Sequence, residues 1–300
     1  MKKSGNLLIL IGLGIIWSSF AFFTKVSAEN LSPFFVTFSR LALGGILLYS
    51  VCLVRGKKVF VVKNFKYYAI VGFFNSALPF SLFAISSRAL DSGIAAILDG
   101  TIPMFEVLIS IFILRRHVDK NAILGIIFGV IGTIVTSYGS IAKLDLAWIE
   151  IASIIIILVA TFSYAVASIY TGTKCKDMEP LVIATGSVLF ATLIMSPSLF
   201  FADFSLIDMK VASSLLGLGL LCTGFAYIFY FKLLAEEGAR TAVSTVLLIP
   251  VFGTILGAIF LDEIITLSKI IGCVMILVSM KFILNLSHKN FFQFSKVPNN

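Results

Sequence analysis

A chain of 300 residues with 59% hydrophobic and only 13% charged residues has too little polar surface to cover a soluble globule of its size. Its mean hydropathy of +1.07 requires lipid as the main solvent. The net charge of +8 does not gather into a nucleic-acid patch; its distribution follows the loops, as shown below.

With lipid as solvent, every backbone donor and acceptor must be satisfied within its own segment, so the expected class is an all-α integral membrane protein. Apolar runs predict spans at 6–26, 34–54, 66–87, 93–114, 121–141, 148–171, 181–201, 211–232, 242–261 and 267–286. Met1-Lys2-Lys3 followed by an apolar run and Val26-Ser27-Ala28 imitates a secretory signal, but the run exceeds a usual signal core, so the first span is read as retained. With the N-terminus in the cytoplasm, 17 Lys and Arg fall on the inner side, among them Arg55, Lys57, Lys58, Lys63, Lys66, Arg115 and Arg116. Five fall outside: Lys25, Arg88, Lys143, Lys210 and Lys269. That bias predicts both termini to be cytoplasmic, with the basic stretches acting as topology signals and lipid-headgroup contacts.

A shift of 147 positions lays the chain on itself, with Pro33 on Pro180, Pro103 on Pro250, Gly125 on Gly272 and Trp17 on Tyr164. The expected organisation is therefore a first five-helix repeat over 1–143, a second over 144–286 and a cytoplasmic tail over 287–300. Five spans per unit is odd, so the second copy enters the bilayer from the opposite side, the inverted repeat used by many secondary transporters.

The inventory argues against several other classes. Cys52, Cys175, Cys222 and Cys273 form no Cys-x-x-Cys pair, and His117 and His288 both fall in predicted cytoplasmic segments, so no metal or haem site is expected. A phosphate-cradling loop is also missing, and the reading is of a non-enzyme with no cofactor.

Charge inside the spans is more informative, because each such residue costs roughly 2.5–3.5 kcal/mol at a helix centre. Three qualify: Arg40, Asp99 and Glu106. Asp99, Pro103 and Glu106 lie at i, i+4 and i+7, on one helix face, with the carboxyls about 10 Å apart along the axis. Pro103 removes a backbone donor beside Asp99, and Pro250 does the same in the second copy; both are expected helix breaks. Arg40 and Asp99 each lie six residues into their spans from the outer face, which makes them candidates for an ion pair. That pair is either a structural bridge or a site for the carboxylate and amine of a zwitterionic substrate. Glu106 has no cation at its depth, a setting suited to proton coupling or to a neutral carboxyl hydrogen-bonded to a neighbouring helix. The partners of the three under the shift are Ser187, Val246 and Gly253, so the chemistry is asymmetric on a symmetric scaffold.

Trp17, Asn75, Tyr164 and Tyr227 are candidate cavity-lining residues, with Tyr230 nearby; simple packing is the alternative for each. Gly125 with Gly129, and Gly253 with Gly257, have the spacing that lets helices approach closely, within a monomer or in a homodimer.

The ordered set Trp17-Ser-Ser-Phe through Lys25, Leu31-Ser32-Pro33, Phe38-Ser39-Arg40-Leu41, Ala77-Leu78-Pro79-Phe80, Ala95-Ala96-Ile97-Leu98 with Pro103, Ala242 to Pro250, and Leu261-Asp262-Glu263 followed by Gly272 resembles the EamA branch of the drug/metabolite transporter superfamily. The resemblance covers nearly the whole chain. It implies ten transmembrane helices in two inverted five-helix repeats, and a proton-coupled or facilitative carrier of amino acids or other small metabolites, often an exporter or antiporter, in a bacterial inner membrane. Two departures stand out. The glutamate expected after the fourth helix is Arg116 here, although Glu263 is present in the second copy, and Asp99 and Glu106 stand where neutral or apolar residues are expected. The resulting expectation is a secondary transporter of a small organic metabolite, with protons as a candidate second partner. A multidrug or nucleotide-sugar carrier is the rival within transport, and a non-transporting membrane scaffold the rival outside it.

Overall fold

The computed structural model describes residues 2–115, 120–141 and 147–290. Arg116, Lys143 and the tail beyond Asn290, which entered the charge reading, and His117, which entered the metal reading, lie outside the described residues. Among the described residues the chain is helical throughout, without a strand. Its helices are α1 (Lys2–Asn30), α2 (Pro33–Val54), α3 (Phe65–Ser86), α4 (Ser92–Phe112), α5 (Lys120–Ile141), α6 (Ala147–Lys174), α7 (Pro180–Met195), α8 (209–244), α9 (Ile249–Leu261) and α10 (Leu267–Asn290). Seven stretches are long and apolar enough to cross a membrane, in α1, α2, α3, α4, α6, α7 and α8; α5 and α9 contribute shorter apolar segments. This is a multi-pass membrane protein.

Local chemistry sets the boundaries. Pro33 and Pro180 open α2 and α7, where a missing N–H costs nothing and the fixed φ favours the helix. Helix α4 is two segments, Ser92–Asp99 and Ile102–Phe112, separated at Gly100 and Thr101, with Pro103 in the first turn of the second. Pro250 occupies the same place in α9, after the short 3₁₀ turn Thr245–Leu248. Helices α3 and α8 each widen into a π segment, Phe73–Ala77 and Gly217–Phe225. The sequence reading did not anticipate these, because a π segment leaves no clear trace in hydrophobic periodicity.

The main core is built by α1, α3, α4, α6 and α8, with Phe20, Phe83, Ile94, Leu98, Ile157 and Leu218 all buried. The first segment of α4 packs along α9, whereas its second segment turns away onto α6. Gly253 sits against Ala96 there, a separation that no larger residue permits. Helices α5 and α10 pair closely, with Gly125 against Ile283 and the Ser279 hydroxyl donating to the Gly125 carbonyl at 2.6 Å. The glycine spacing thus serves contacts inside the bundle. Ile123, Ile127, Ile134, Ile270 and Val274 are exposed on the same two helices and suit a hydrocarbon surround.

Candidate functional site

Arg40, on α2, is 8% exposed. Its Nε donates to the Thr223 hydroxyl at 3.0 Å, and its guanidinium carbon lies 3.6 Å from the centre of the Phe80 ring and 5.9 Å from that of Phe20. Thr223 belongs to the π segment of α8, and its own hydroxyl donates to the Leu218 carbonyl five residues back at 3.0 Å. The π segment therefore presents Thr223 to Arg40, in keeping with the use of such segments at functional sites. Close approach of α2 and α8 depends on Gly44, which faces Thr223, and on Gly219, which faces Leu43.

Asp99, the last residue of the first α4 segment, is 7% exposed. It lies within electrostatic reach of Arg40 and of Tyr164 on α6. The expected direct ion pair between Arg40 and Asp99 is not formed: no N···O distance between them falls within 4.0 Å among the ion pairs of the described residues. The guanidinium is held instead by Thr223 and Phe80. An acidic and a basic side chain are held near each other in a buried setting without direct contact.

Glu106, on the second α4 segment, faces the Ser168 hydroxyl and lies within electrostatic reach of Tyr230. Tyr164 and Ser168 are four residues apart, on one face of α6, so that face runs from Asp99 to Glu106. The Thr101–Thr161 hydroxyl bond at 3.0 Å fixes the register of α4 against α6. Tyr227 and Tyr230 are three apart on α8, and Tyr227 senses both Arg40 and Tyr164. Asn75, in the π segment of α3, donates to the Tyr227 hydroxyl at 3.4 Å, and the Trp17 ring lies tilted against Tyr230 at 5.4 Å between ring centres. The residues Arg40, Asp99, Glu106, Trp17, Asn75, Tyr164 and Tyr227 thus come together in one polar and aromatic strip. Sequence reasoning carried Phe80 only as part of a motif, and missed Ser168 and the contact between Thr223 and Arg40.

A second cluster lies at the end of the bundle opposite the N-terminus. Lys25 meets Glu263 at 3.1 Å and Asp91 at 3.7 Å, and Lys269 meets Asp91 at 2.6 Å and the Ile264 carbonyl at 2.8 Å. The Glu263 carboxylate also accepts from the backbone N–H groups of Ser92 at 2.6 Å and Gly93 at 3.0 Å. Its side chain is 5% exposed, as is that of Lys269. This clasp fastens α1 and the start of α4 to the facing ends of α9 and α10. Asp262, in the left-handed conformation at φ 53°, ends α9 and turns the chain so that Glu263 reaches back.

The chain matches the EamA-like transporter family model twice, over residues 3–138 and 151–285. It is 25% identical over 274 residues to an uncharacterized transporter of Archaeoglobus fulgidus, covering 91% of this chain and 96% of that one. A similar likeness holds for the uncharacterized transporter YoaV of Bacillus subtilis, at 24% identity over 89% of this chain and 92% of that one. The uncharacterized inner membrane transporter YedA of Escherichia coli K12 is 26% identical over 87% of this chain and 84% of that protein. A solved crystal structure at 18% identity shares the fold, with a TM-score of 0.65 over 93% of this chain and 96% of that chain.

Proposed function

Since this chain belongs to the EamA-like transporter family and is a membrane transporter, we propose that it is a secondary carrier of a small organic metabolite, an amino acid or close relative, working by alternating access. In this reading ten helices cross a bacterial inner membrane in two inverted repeats, with both termini in the cytoplasm. The observation that carries the substrate class is the separated buried pair: Arg40 is held from one side by Thr223, and Asp99, within its electrostatic reach, makes no direct ion pair with it among the described residues. Burying an acid and a base without direct pairing is costly, and a zwitterion offering a carboxylate to Arg40 and an ammonium to Asp99 offsets that cost. Glu106 is the candidate proton-coupling group, away from Arg40 and beside neutral hydroxyls.

The breaks in α4 and α9 supply the moving parts. Where the first segment of α4 lies along α9 and the clasp is closed, the side opposite the termini is shut; the second segment leans away onto α6, which favours access from the side of the termini. Rocking of the halves about Pro103 and Pro250 would exchange those conditions.

The test is counterflow in proteoliposomes with labelled amino acids, with and without an imposed pH gradient. Exchange that is lost in Arg40→Ala and in Asp99→Asn, with both variants folded, is the expected result. A gradient effect abolished by Glu106→Gln supports proton coupling, and indifference to the gradient removes it. No exchange of any amino acid by verified folded protein sinks the substrate class.

A further inference from the structure

We infer that the protein holds a phospholipid headgroup of the phosphate-plus-ammonium kind, that of phosphatidylethanolamine, in a cavity at the end of the bundle that carries the N-terminus. The cavity, of about 450 Å³, lies between the connection from α2 to α3 and the connection from α6 to α7. That size is within the range of small-molecule sites. Its charged lining is Lys63 and Lys174 together with Asp177 and Glu179. Glu179 is already engaged, since Lys57 meets it at 2.8 Å. Lys63, Lys174 and Asp177 have no ion-pair partner within 4.0 Å among the described residues. Two free ammonium groups and one free carboxylate thus line a single space, and all three residues are exposed, so their charges carry no burial cost.

A phosphate diester accepts charge-assisted bonds from both lysines, and an ammonium on the same headgroup donates to Asp177, so each free charge gains an opposite partner. An anionic headgroup without an amine leaves Asp177 beside a second anion, and a fully methylated nitrogen has no N–H to give it. The Asn64 amide and the Tyr67 hydroxyl add neutral hydrogen-bonding groups to the wall, and Met178 and Val182 add apolar ones. Placement favours a lipid over a soluble ligand. The lining stands where α6 ends at Lys174 and where α3 and α7 begin at Phe65 and Pro180, the level at which a bilayer puts its headgroups. On the same end Leu53, Val54, Phe60 and Phe65 are exposed, which suits the boundary where acyl chains begin. Lys63 belongs to the first family-matched stretch and Lys174 to the second, so a headgroup held here ties one half of the protein to the other. The cavity shares no residue with the strip that holds Arg40 and Asp99, and its occupant does not depend on the amino-acid reading.

The experiment is native mass spectrometry of the full-length protein in detergent, offered equal amounts of phosphatidylethanolamine, phosphatidylglycerol and phosphatidylcholine with matched acyl chains. Water-soluble glycerophosphoethanolamine forms a separate arm. Wild type should retain phosphatidylethanolamine ahead of both other lipids, and bind the soluble headgroup more weakly than the lipid. Lys63→Ala combined with Lys174→Ala should lower that retention about fivefold for each lysine, the upper range for an exposed charge pair. Lys58→Ala combined with Lys66→Ala removes two exposed charges from the same end but outside the cavity, and should leave retention unchanged. Asp177→Asn should abolish the preference for phosphatidylethanolamine over phosphatidylglycerol. All these positions are exposed, and an unshifted thermal transition without lipid confirms that each variant is folded. Equal retention of the three lipids by wild type, or a preference for phosphatidylglycerol, overturns the inference. Equal losses in the two lysine pairs also overturn it, since the lipid would then adhere to a basic surface, as does a preference that survives the cavity substitutions. Soluble headgroup bound as tightly as the lipid overturns the membrane source and assigns the cavity to a free phosphate-and-amine ligand.

Discussion

Replacing Glu263 by Gln leaves the shape of the clasp and removes its central charge. In the closed arrangement the carboxylate takes three donors, the Lys25 ammonium and the N–H groups of Ser92 and Gly93, at 3.1, 2.6 and 3.0 Å. A glutamine oxygen can keep one or two of these, while its NH₂ group is set against a donor. Side chains only 5% and 20% exposed escape most solvent screening, so the loss amounts to about 2–3 kcal/mol, the scale of one to two charge-assisted bonds. If opening at this end separates all three contacts, the open-to-closed ratio rises about 30- to 150-fold. At the other end Lys57 and Glu179, at 2.8 Å and about 40% exposed, contribute less than about 1 kcal/mol and provide an internal reference. Hydrogen–deuterium exchange on full-length protein in nanodiscs reads both ends at once. Segments spanning Arg88–Asp99 and Asp262–Lys269 should exchange faster in Glu263→Gln, with Lys57–Asn64 unchanged. Equal acceleration at both ends, or none, would refute the gate and leave the clasp as a plain structural bridge.

Three further outcomes follow from particular contacts. Thr223→Val keeps the shape of the π segment but takes the acceptor from Arg40, so KM in counterflow should rise about tenfold with the protein still folded; an unchanged KM would mean that Arg40 needs no clamp. Gly253→Leu drives a side chain into Ala96 where α4 meets α9, and should cost about 1–3 kcal/mol of thermal stability in detergent, against no measurable change if the helices are looser than described. Cys175, just past the end of α6, has its thiol pushed up to about 11 by burial, which disfavours the thiolate. Its maleimide labelling, read by mass spectrometry, should be slow at pH 8 and climb about tenfold per pH unit towards 10; fast labelling at pH 8 would contradict the burial.

The helical, membrane-embedded class was legible in composition, and the helix boundaries at Pro33 and Pro180 in local chemistry, because hydrocarbon solvation and proline's missing donor act on the chain wherever it lies. The three intramembrane charges were legible for the same reason: Arg40, Asp99 and Glu106 are expensive in any fold that spans a bilayer. Their mutual arrangement was not. Equal depth suggested that Arg40 grips Asp99, yet depth says nothing about which side of a helix a guanidinium leaves from or what already holds it. Thr223 and Phe80 decided that, from helices far along the chain, and the π segment that delivers Thr223 depends on tertiary packing rather than on periodicity. The clasp was divided among Lys25 and Lys269, read as topology signals, Glu263, read as a family feature, and Asp91, which the sequence reading did not single out. Only the fold brings Lys25, Asp91, Glu263 and Lys269 together. Sequence alone determined which residues must be costly to bury, since transfer energy belongs to the side chain; tertiary structure decided what offsets that cost, since a partner exists only once helices distant in sequence are packed side by side.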